Sequence, residues 1–218
     1  MSIGDFGGDG FYSSLIHPQN LNNDYGKIIK VNLKDFSSEI FSYGHRNPQG
    51  LFLVDKDNIF STEHGPKGGD ELNFILKGKN YGWPIATFGT DYFKKFSDVD
   101  TTNNSHNGYE KPIFSWGPLG SGNTSWAVSQ LIVYESNYFD KWKDNIITSS
   151  LSAQTLTRMV FNKKKKSIIY LENIPIGKRI RDIIEAPNGE IVLLTDQYGG
   201  VEGYNDVPEI IFLTKKSN

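Results

Sequence analysis

An all-β fold of sandwich, barrel or propeller type is what this 218-residue sequence predicts, on three observations. Short runs rich in β-branched and aromatic residues alternate with turn clusters along nearly the whole length, which carries 22 Gly and 9 Pro. Only residues 136–143 (SNYFDKWK) have helical character, and they make barely two turns. Several runs, such as Ile191-Val192-Leu193-Leu194, are continuously apolar, which suits strands buried on both faces, as when propeller blades stack. No crisp internal repeat accompanies them.

Taken in order, residues 27–33 (KIIKVNL) are β-branched and bounded by Gly26 and Asp35. Residues 51–54 and 58–62 flank Asp55-Lys56-Asp57, the signature of a hairpin. Residues 71–76 stop at Gly78 and Asn80, and residues 112–116 stop at Gly117-Pro118. Strands are then expected over 130–134, 145–149, 156–161, 167–171, 181–185, 190–194 and 209–213. The polar stretch 91–110 predicts a long surface loop. Lys163 to Lys166, four consecutive Lys, predict a solvated hairpin tip.

Composition narrows the function classes. A net charge of −2 and a pI near 6.1 give no reason to expect nucleic acid or an acidic membrane as partner. The 37% apolar and 13% aromatic shares suit strands that bury one face around Phe, Tyr and Trp. Having no Cys, the chain has no disulfide, thiolate metal site or Cys nucleophile, and either redox compartment is compatible with it. No apolar run approaches the roughly 20 residues of a membrane span. The opening MSIGDFGGDG has neither the basic nor the apolar region of a secretory signal.

Chemistry-bearing residues concentrate between positions 44 and 84. Gly44-His45-Arg46-Asn47-Pro48-Gln49-Gly50 is followed by Glu63-His64-Gly65-Pro66, Asp70-Glu71 and Asn80-Tyr81-Gly82-Trp83-Pro84. So many turn formers beside hydrogen-bonding side chains describe a binding surface carried on loops. These motifs occur in order with Asp24-Tyr25-Gly26-Lys27-Ile28, Phe139-Asp140-Lys141-Trp142 and Arg179-Ile180-Arg181-Asp182. Together they resemble the PQQ-dependent sugar dehydrogenases (the glucose/sorbosone dehydrogenase family) over the later two-thirds of that family.

The resemblance implies a six-bladed β-propeller of the quinoprotein glucose dehydrogenase type, here incomplete, with residues 1–218 forming about four blades of a single partial domain. It implies PQQ and Ca²⁺ as cofactors, an aldose as substrate and an external electron acceptor, with hydride passing from the sugar C1 to the quinone as the lactone forms. Arg46 is implied as the group that polarises the quinone oxygen where negative charge develops. The cofactor contacts implied are Arg46, Asn47, Tyr92, Arg179, Ile180 and Arg181. Arg179 and Arg181, two apart on one strand, would point the same way toward PQQ carboxylates. Gly65 and Pro66 would give carbonyl oxygens to Ca²⁺, and Glu71 and Tyr81 match a second, structural Ca²⁺ position. Asp70 would orient that loop. His45 and His64 are assigned backbone hydrogen bonding, Trp83 core packing, and His17 and His106 no role. The resemblance leaves a dimer open, and it points to the periplasm or export.

Two departures from the family pattern stand out. The proton-accepting His of the family lies upstream of a strand end that Ser2-Ile3-Gly4-Asp5 resembles, so this sequence is expected to lack it and to be a fragment of a longer quinoprotein. Where the family places a Lys after the Leu matching Leu151, this chain has Ser152-Ala153-Gln154. A non-catalytic propeller module used for binding is therefore the rival expectation. A Ca²⁺-dependent hydrolase is a weaker one, because the pattern offers mainly backbone oxygens.

Overall fold

The computed structural model describes residues 1–6, 17–56, 58–90, 106–117, 124–197 and 207–216. Tyr92, Asp57 and residues 91–105 of the expected loop lie outside the described residues. Two compact units divide the chain, residues 1–125 and 126–218.

The first unit holds two antiparallel sheets. One is β1 (Ser2–Ile3), β2 (Lys27–Val31) and β3 (Ser38–Tyr43), in that order. The other is the meander β4 (Pro48–Asp55), β5 (Asn58–Glu63), β6 (Asp70–Ile75) and β7 (Phe114–Trp116). The expected hairpin joins β4 to β5, where Asn58 donates to Asp55 from its backbone at 3.0 Å and from its side chain at 2.7 Å. Strand β6 is buried along its whole length, its two leading carboxylates Asp70 and Glu71 included. Ile28, Ile75 and Tyr81 form a core cluster against which Phe41, Leu51 and Ile59 pack.

The second unit repeats the plan. A four-stranded meander contains β8 (Val128–Val133), β9 (Ile146–Ser150), β10 (Thr155–Asn162) and β11 (Ser167–Pro175). A three-stranded sheet contains β12 (Ile180–Glu185), β13 (Ile191–Thr195) and β14 (Ile210–Leu213). Polar ties join the two sheets: Ser129 Oγ donates to the Ile180 carbonyl at 2.6 Å, and the Tyr134 hydroxyl to that of Gly189 at 2.5 Å. The inner face of the smaller sheet buries Ile183, Ile191 and Leu193. Its outer face carries Ile184 (53% exposed), Leu194 (44%), Ile210 (63%) and Phe212 (58%), which the strand registers bring together.

Two expectations are corrected. Residues 136–143 form no α-helix, only a single 3₁₀ turn at Asp140–Trp142. Their backbone donors are taken locally instead, Tyr138 by Ser136 Oγ at 2.9 Å and Phe139 by the Tyr134 hydroxyl at 3.1 Å. So short a segment cannot recover the cost of helix nucleation. The chain also forms β3, over Ser38–Tyr43, where no strand was expected. The Lys163–Lys166 tip is as expected: Asn162 Oδ1 accepts from the Lys164 and Lys165 amides, both at 3.0 Å.

Strand β2 buries the whole of Lys27, whose Nζ donates to the Pro18 and Tyr25 carbonyls at 2.8 and 2.6 Å. Burial lowers the Lys27 pKa from 10.5 to about 8, with Asp24 opposing the shift. Between these values the unfolded chain binds a proton that the folded chain has released, so stability rises with pH there. Across pH 8 to 10, wild type should gain on the order of 1 kcal/mol relative to Lys27→Met, allowing for partial solvent screening. Urea unfolding of both chains across that range checks it, and parallel pH profiles would refute it.

Candidate functional site

The motif residues sit at two neighbouring junctions of the first unit. Residues 44–47 link β3 to β4, and residues 64–69 link β5 to β6. Gly44 begins the first junction with φ +76°, a conformation for which glycine has no steric cost. The Gly44 carbonyl accepts from the Trp83 amide at 2.9 Å, and that of Tyr43 accepts from the Tyr81 amide at 2.9 Å. The Asn80–Trp83 motif is thereby held against the first junction.

Beneath this surface runs a buried polar chain. Ser42 Oγ lies 2.9 Å from His45 Nε2, and His45 Nδ1 lies 3.0 Å from Glu63 Oε2, with all three residues buried. A carboxylate only accepts, so His45 Nδ1 is the donor to Glu63, and the Ser42 hydroxyl closes the chain at Nε2. The ring stacks on Tyr81 with centroids 4.6 Å apart. His45 thus bonds chiefly to side chains, although its amide does donate to the Gly26 carbonyl at 3.1 Å. For the other loop His, the His64 carbonyl accepts from Arg46 Nη1 at 3.3 Å.

Arg46 emerges from this base half-buried. Its amide donates to Glu63 Oε1, and its carbonyl accepts from the Asp5 amide at 2.7 Å. The guanidinium lies over Trp83, with Cζ 5.3 Å from the ring centroid. Trp83 Nε1 in turn donates to buried Asp5 Oδ2 at 2.9 Å. Asn47 is half-buried beside Arg46, with Nδ2 3.4 Å from His64 Nδ1 and Oδ1 accepting from Gln49 at 2.9 Å.

A cavity of about 10 Å³, lined among others by Arg46, Glu63, His64, Gly65, Glu71 and Tyr81, opens here. That is room for one water molecule or one ion. Asp70 orients the Gly65–Gly69 turn, accepting from the Gly65 amide at 3.0 Å while Ser125 Oγ donates to both its oxygens at 2.6 and 2.8 Å. Burial first, and then the charges of Glu63 and Asp70, push the Glu71 carboxyl well above the usual carboxylate range, with Asn73 Nδ2 opposing at 3.2 Å. Asn73 Oδ1 is buried with no hydrogen-bond partner among the described residues.

Two of these features suit a hard divalent cation: a crowded buried carboxylate and, beside it, a space of ionic size. No group of three or more His, Asp or Glu among the described residues is arranged to hold a metal, so backbone oxygens would complete the shell. The Tyr81 hydroxyl is already engaged, donating to the Phe74 carbonyl at 2.6 Å and accepting from the Leu76 amide at 2.9 Å. Its carbonyl is the oxygen left to offer. Pro66 is buried just outside the lining residues. For an anionic planar cofactor, the half-buried guanidinium on its indole platform is the fitting element.

The two other arginines implied for the cofactor, Arg179 and Arg181, belong to the second unit. Arg179 is half-buried and precedes β12, its carbonyl accepting from the Asp196 amide at 2.8 Å. Ile180 is fully buried, and its carbonyl is the one that accepts from Ser129. Arg181 is exposed and pairs with Asp196, Nη2 to Oδ2 at 2.6 Å. The register shifts between Ile180 and Asp182, so Arg181 is the extra residue of a bulge and simple alternation does not set its direction. At the neutral turn, Ser152 and Ala153 donate to the Trp126 carbonyl at 3.1 and 3.2 Å.

Sequence reasoning gave no role to Glu63 or His106. His106 is buried, stacked on Phe88 at 4.6 Å with Nε2 3.7 Å from Glu71 Oε1. Its sequence surroundings are polar and offered no signal.

Comparison with known proteins follows this geometry. The family model described as "Glucose / Sorbosone dehydrogenase" matches residues 1–202. The aldose sugar dehydrogenase YliI of Escherichia coli (strain K12) is 37% identical over 164 residues, 75% of this chain and 42% of that protein. The quinoprotein glucose dehydrogenase B of Acinetobacter calcoaceticus is 26% identical over 235 residues, 81% of this chain and 49% of that protein. The solved PQQ-bound form of an aldose sugar dehydrogenase from Streptomyces coelicolor shares the fold with a TM-score of 0.62 at 24% identity, over 95% of this chain and 56% of that one. The chain therefore spans about half the length of the curated relatives it matches.

Proposed function

Because the chain belongs to the glucose/sorbosone dehydrogenase family, we propose that it is the cofactor- and calcium-binding portion of a PQQ-dependent aldose dehydrogenase. The observation that carries this reading is Arg46, held over Trp83 beside the ion-sized cavity of Gly65, Glu71 and Tyr81. The Gly65 and Pro66 carbonyls would hold one Ca²⁺, with Glu71 and the Tyr81 carbonyl at a second position. Arg46, Asn47, Tyr92, Arg179, Ile180 and Arg181 would hold PQQ, which when bound supplies the acceptor for a hydride from the aldose C1.

The contribution of Arg46 is electrostatic. Its guanidinium is backed by an aromatic face and fixed by backbone bonds, so it meets developing negative charge with little rearrangement. Asn47 adds a neutral amide beside it. His45 is not a candidate to take the hydroxyl proton, because both its ring nitrogens are engaged in the interior. The whole enzyme would pass its electrons to an external acceptor, and by family analogy it would act in the periplasm or outside the cell.

Calorimetric titration with PQQ in the presence of Ca²⁺ tests this. A Kd of about 1 μM or tighter, near 8 kcal/mol of binding, is expected. Arg46→Ala should weaken it on the order of tenfold to a hundredfold, the loss of one charge-assisted contact. The rival, a non-catalytic binding module, is favoured by the neutral Ser152–Gln154 turn, and the absence of binding heat would select it.

A further inference from the structure

We infer that Glu63 is the positioning residue for Arg46, setting the backbone from which its guanidinium reaches the site. This rests on the reading of Arg46 given above, and it assigns work to a carboxylate that the family resemblance leaves without a role.

The geometry is specific. Glu63 is the last residue of β5, paired with both flanking strands through Pro48 and Glu71, so its Cα is fixed by the ladder on either side. Its carboxylate is buried and accepts from three donors. Oε1 takes the Arg46 amide. Oε2 takes His45 Nδ1 at 3.0 Å and lies 3.4 Å from Asn73 Nδ2. His45 is itself fixed by Ser42, by its stack on Tyr81 and by its amide bond to Gly26.

Consecutive residues are thus gripped by one anion, His45 through its ring and Arg46 through its amide. The other side of Arg46 is held by the Asp5 amide on its carbonyl. With the peptide planes on both sides of Arg46 immobilised, its side chain has one departure direction, across the Trp83 face that Asp5 keeps in place.

An anion buried for packing alone would have no reason to favour one donor over another. Here each oxygen faces a different neighbour of the same turn, which is how an outer carboxylate orients a group that works at a site. Around metal ligands, loss of such outer partners commonly costs 10- to 100-fold in affinity or activity, and the same scale is expected at Arg46.

The test uses the full chain, Glu63→Met and Glu63→Asp. Met keeps the length but has no oxygen to accept, so it releases both the Arg46 amide and His45. Asp keeps the charge but retreats by one methylene. Hydrogen exchange of the Arg46 amide, followed by NMR, and PQQ affinity with Ca²⁺ are read together. In Glu63→Met the Arg46 amide should exchange on the order of tenfold faster, as for one lost hydrogen bond. PQQ should bind at least tenfold more weakly, and exchange at Met159 and Leu193 in the other unit should not change.

A role in charge balance alone predicts rescue by Glu63→Asp, whereas positioning predicts that Asp restores neither readout. Arg46 exchange and PQQ affinity both within twofold of wild type in Glu63→Met would overturn the assignment. If wild type binds no PQQ, the functional reading fails while Arg46 exchange still decides the positioning. If neither variant folds, the wild-type Arg46 amide decides: protection supports the assignment, and exchange as fast as an exposed turn overturns it.

Discussion

Adding Ca²⁺ should raise the melting temperature of this chain, and Glu71→Gln should remove most of that rise without weakening the metal-free protein. At a Ca²⁺ concentration 100 times its Kd, binding to the folded state alone contributes about 2.7 kcal/mol, or roughly 5–10 °C for a chain of this size. The dependence on Glu71 follows from its surroundings. Its carboxyl is buried beside Glu63 and Asp70, so without a cation the ionised form is disfavoured. A divalent ion reverses that balance by supplying the missing positive charge. Gln keeps an oxygen for Asn73 Nδ2 and takes away the charge, so the metal-free variant should melt no lower than wild type. Differential scanning calorimetry with and without Ca²⁺ measures both effects, with Mg²⁺ as the control that fits oxygen-rich irregular sites poorly. An equal rise in both chains would place the ion elsewhere.

Gly44→Ala should cost roughly 2–4 kcal/mol, combining the left-handed backbone penalty with loss of nearby hydrogen bonds. The added Cβ would run into Asn80 Oδ1, and would lie 2.8 Å from the Gly82 amide nitrogen and 2.9 Å from Gln19 Nε2. Those atoms form a knot. Gln19 and Asn80 exchange hydrogen bonds at 3.1 and 2.6 Å, Gln19 Nε2 also donates to the Trp83 carbonyl at 2.6 Å, and the Gly82 amide donates to Asn80 Oδ1 at 3.0 Å. Moving any of them shifts Trp83 and so the platform under Arg46. Urea unfolding should show a lower midpoint with unchanged slope, and PQQ affinity should fall with it. A variant as stable as wild type would mean that the junction has slack the structure does not show.

Most strands were legible because β-branched runs and Gly, Pro and Asn turns are local signals. Strand β3 was not, because its sequence SEIFSY mixes polar and apolar residues and its first two positions are exposed. The supposed helix at 136–143 failed for a related reason. Aromatic residues at helical spacing pack just as well around a 3₁₀ turn, where Phe139 meets Trp142 at 5.1 Å and Tyr138 at 4.9 Å. At the site, residues named by motif could be placed, while their supports could not. Glu63 meets His45 across 18 residues and Trp83 meets Asp5 across 78, separations at which no sequence pattern reports contact. His106 reaches Glu71 only because strand pairing returns the chain there. The bulge at Arg181 depends on register, which periodicity alone does not fix.

The outward side of β12, β13 and β14 has a practical consequence at the bench. With Ile184, Leu194, Ile210 and Phe212 facing water, that side of the sheet is an oily film. Concentrated solutions should lose protein to tube walls and chromatography resin, and a solvatochromic dye should brighten on contact with the native molecule. A trace of mild surfactant, below its micelle threshold, should stem the losses without disturbing the ion-sized cavity in the other unit.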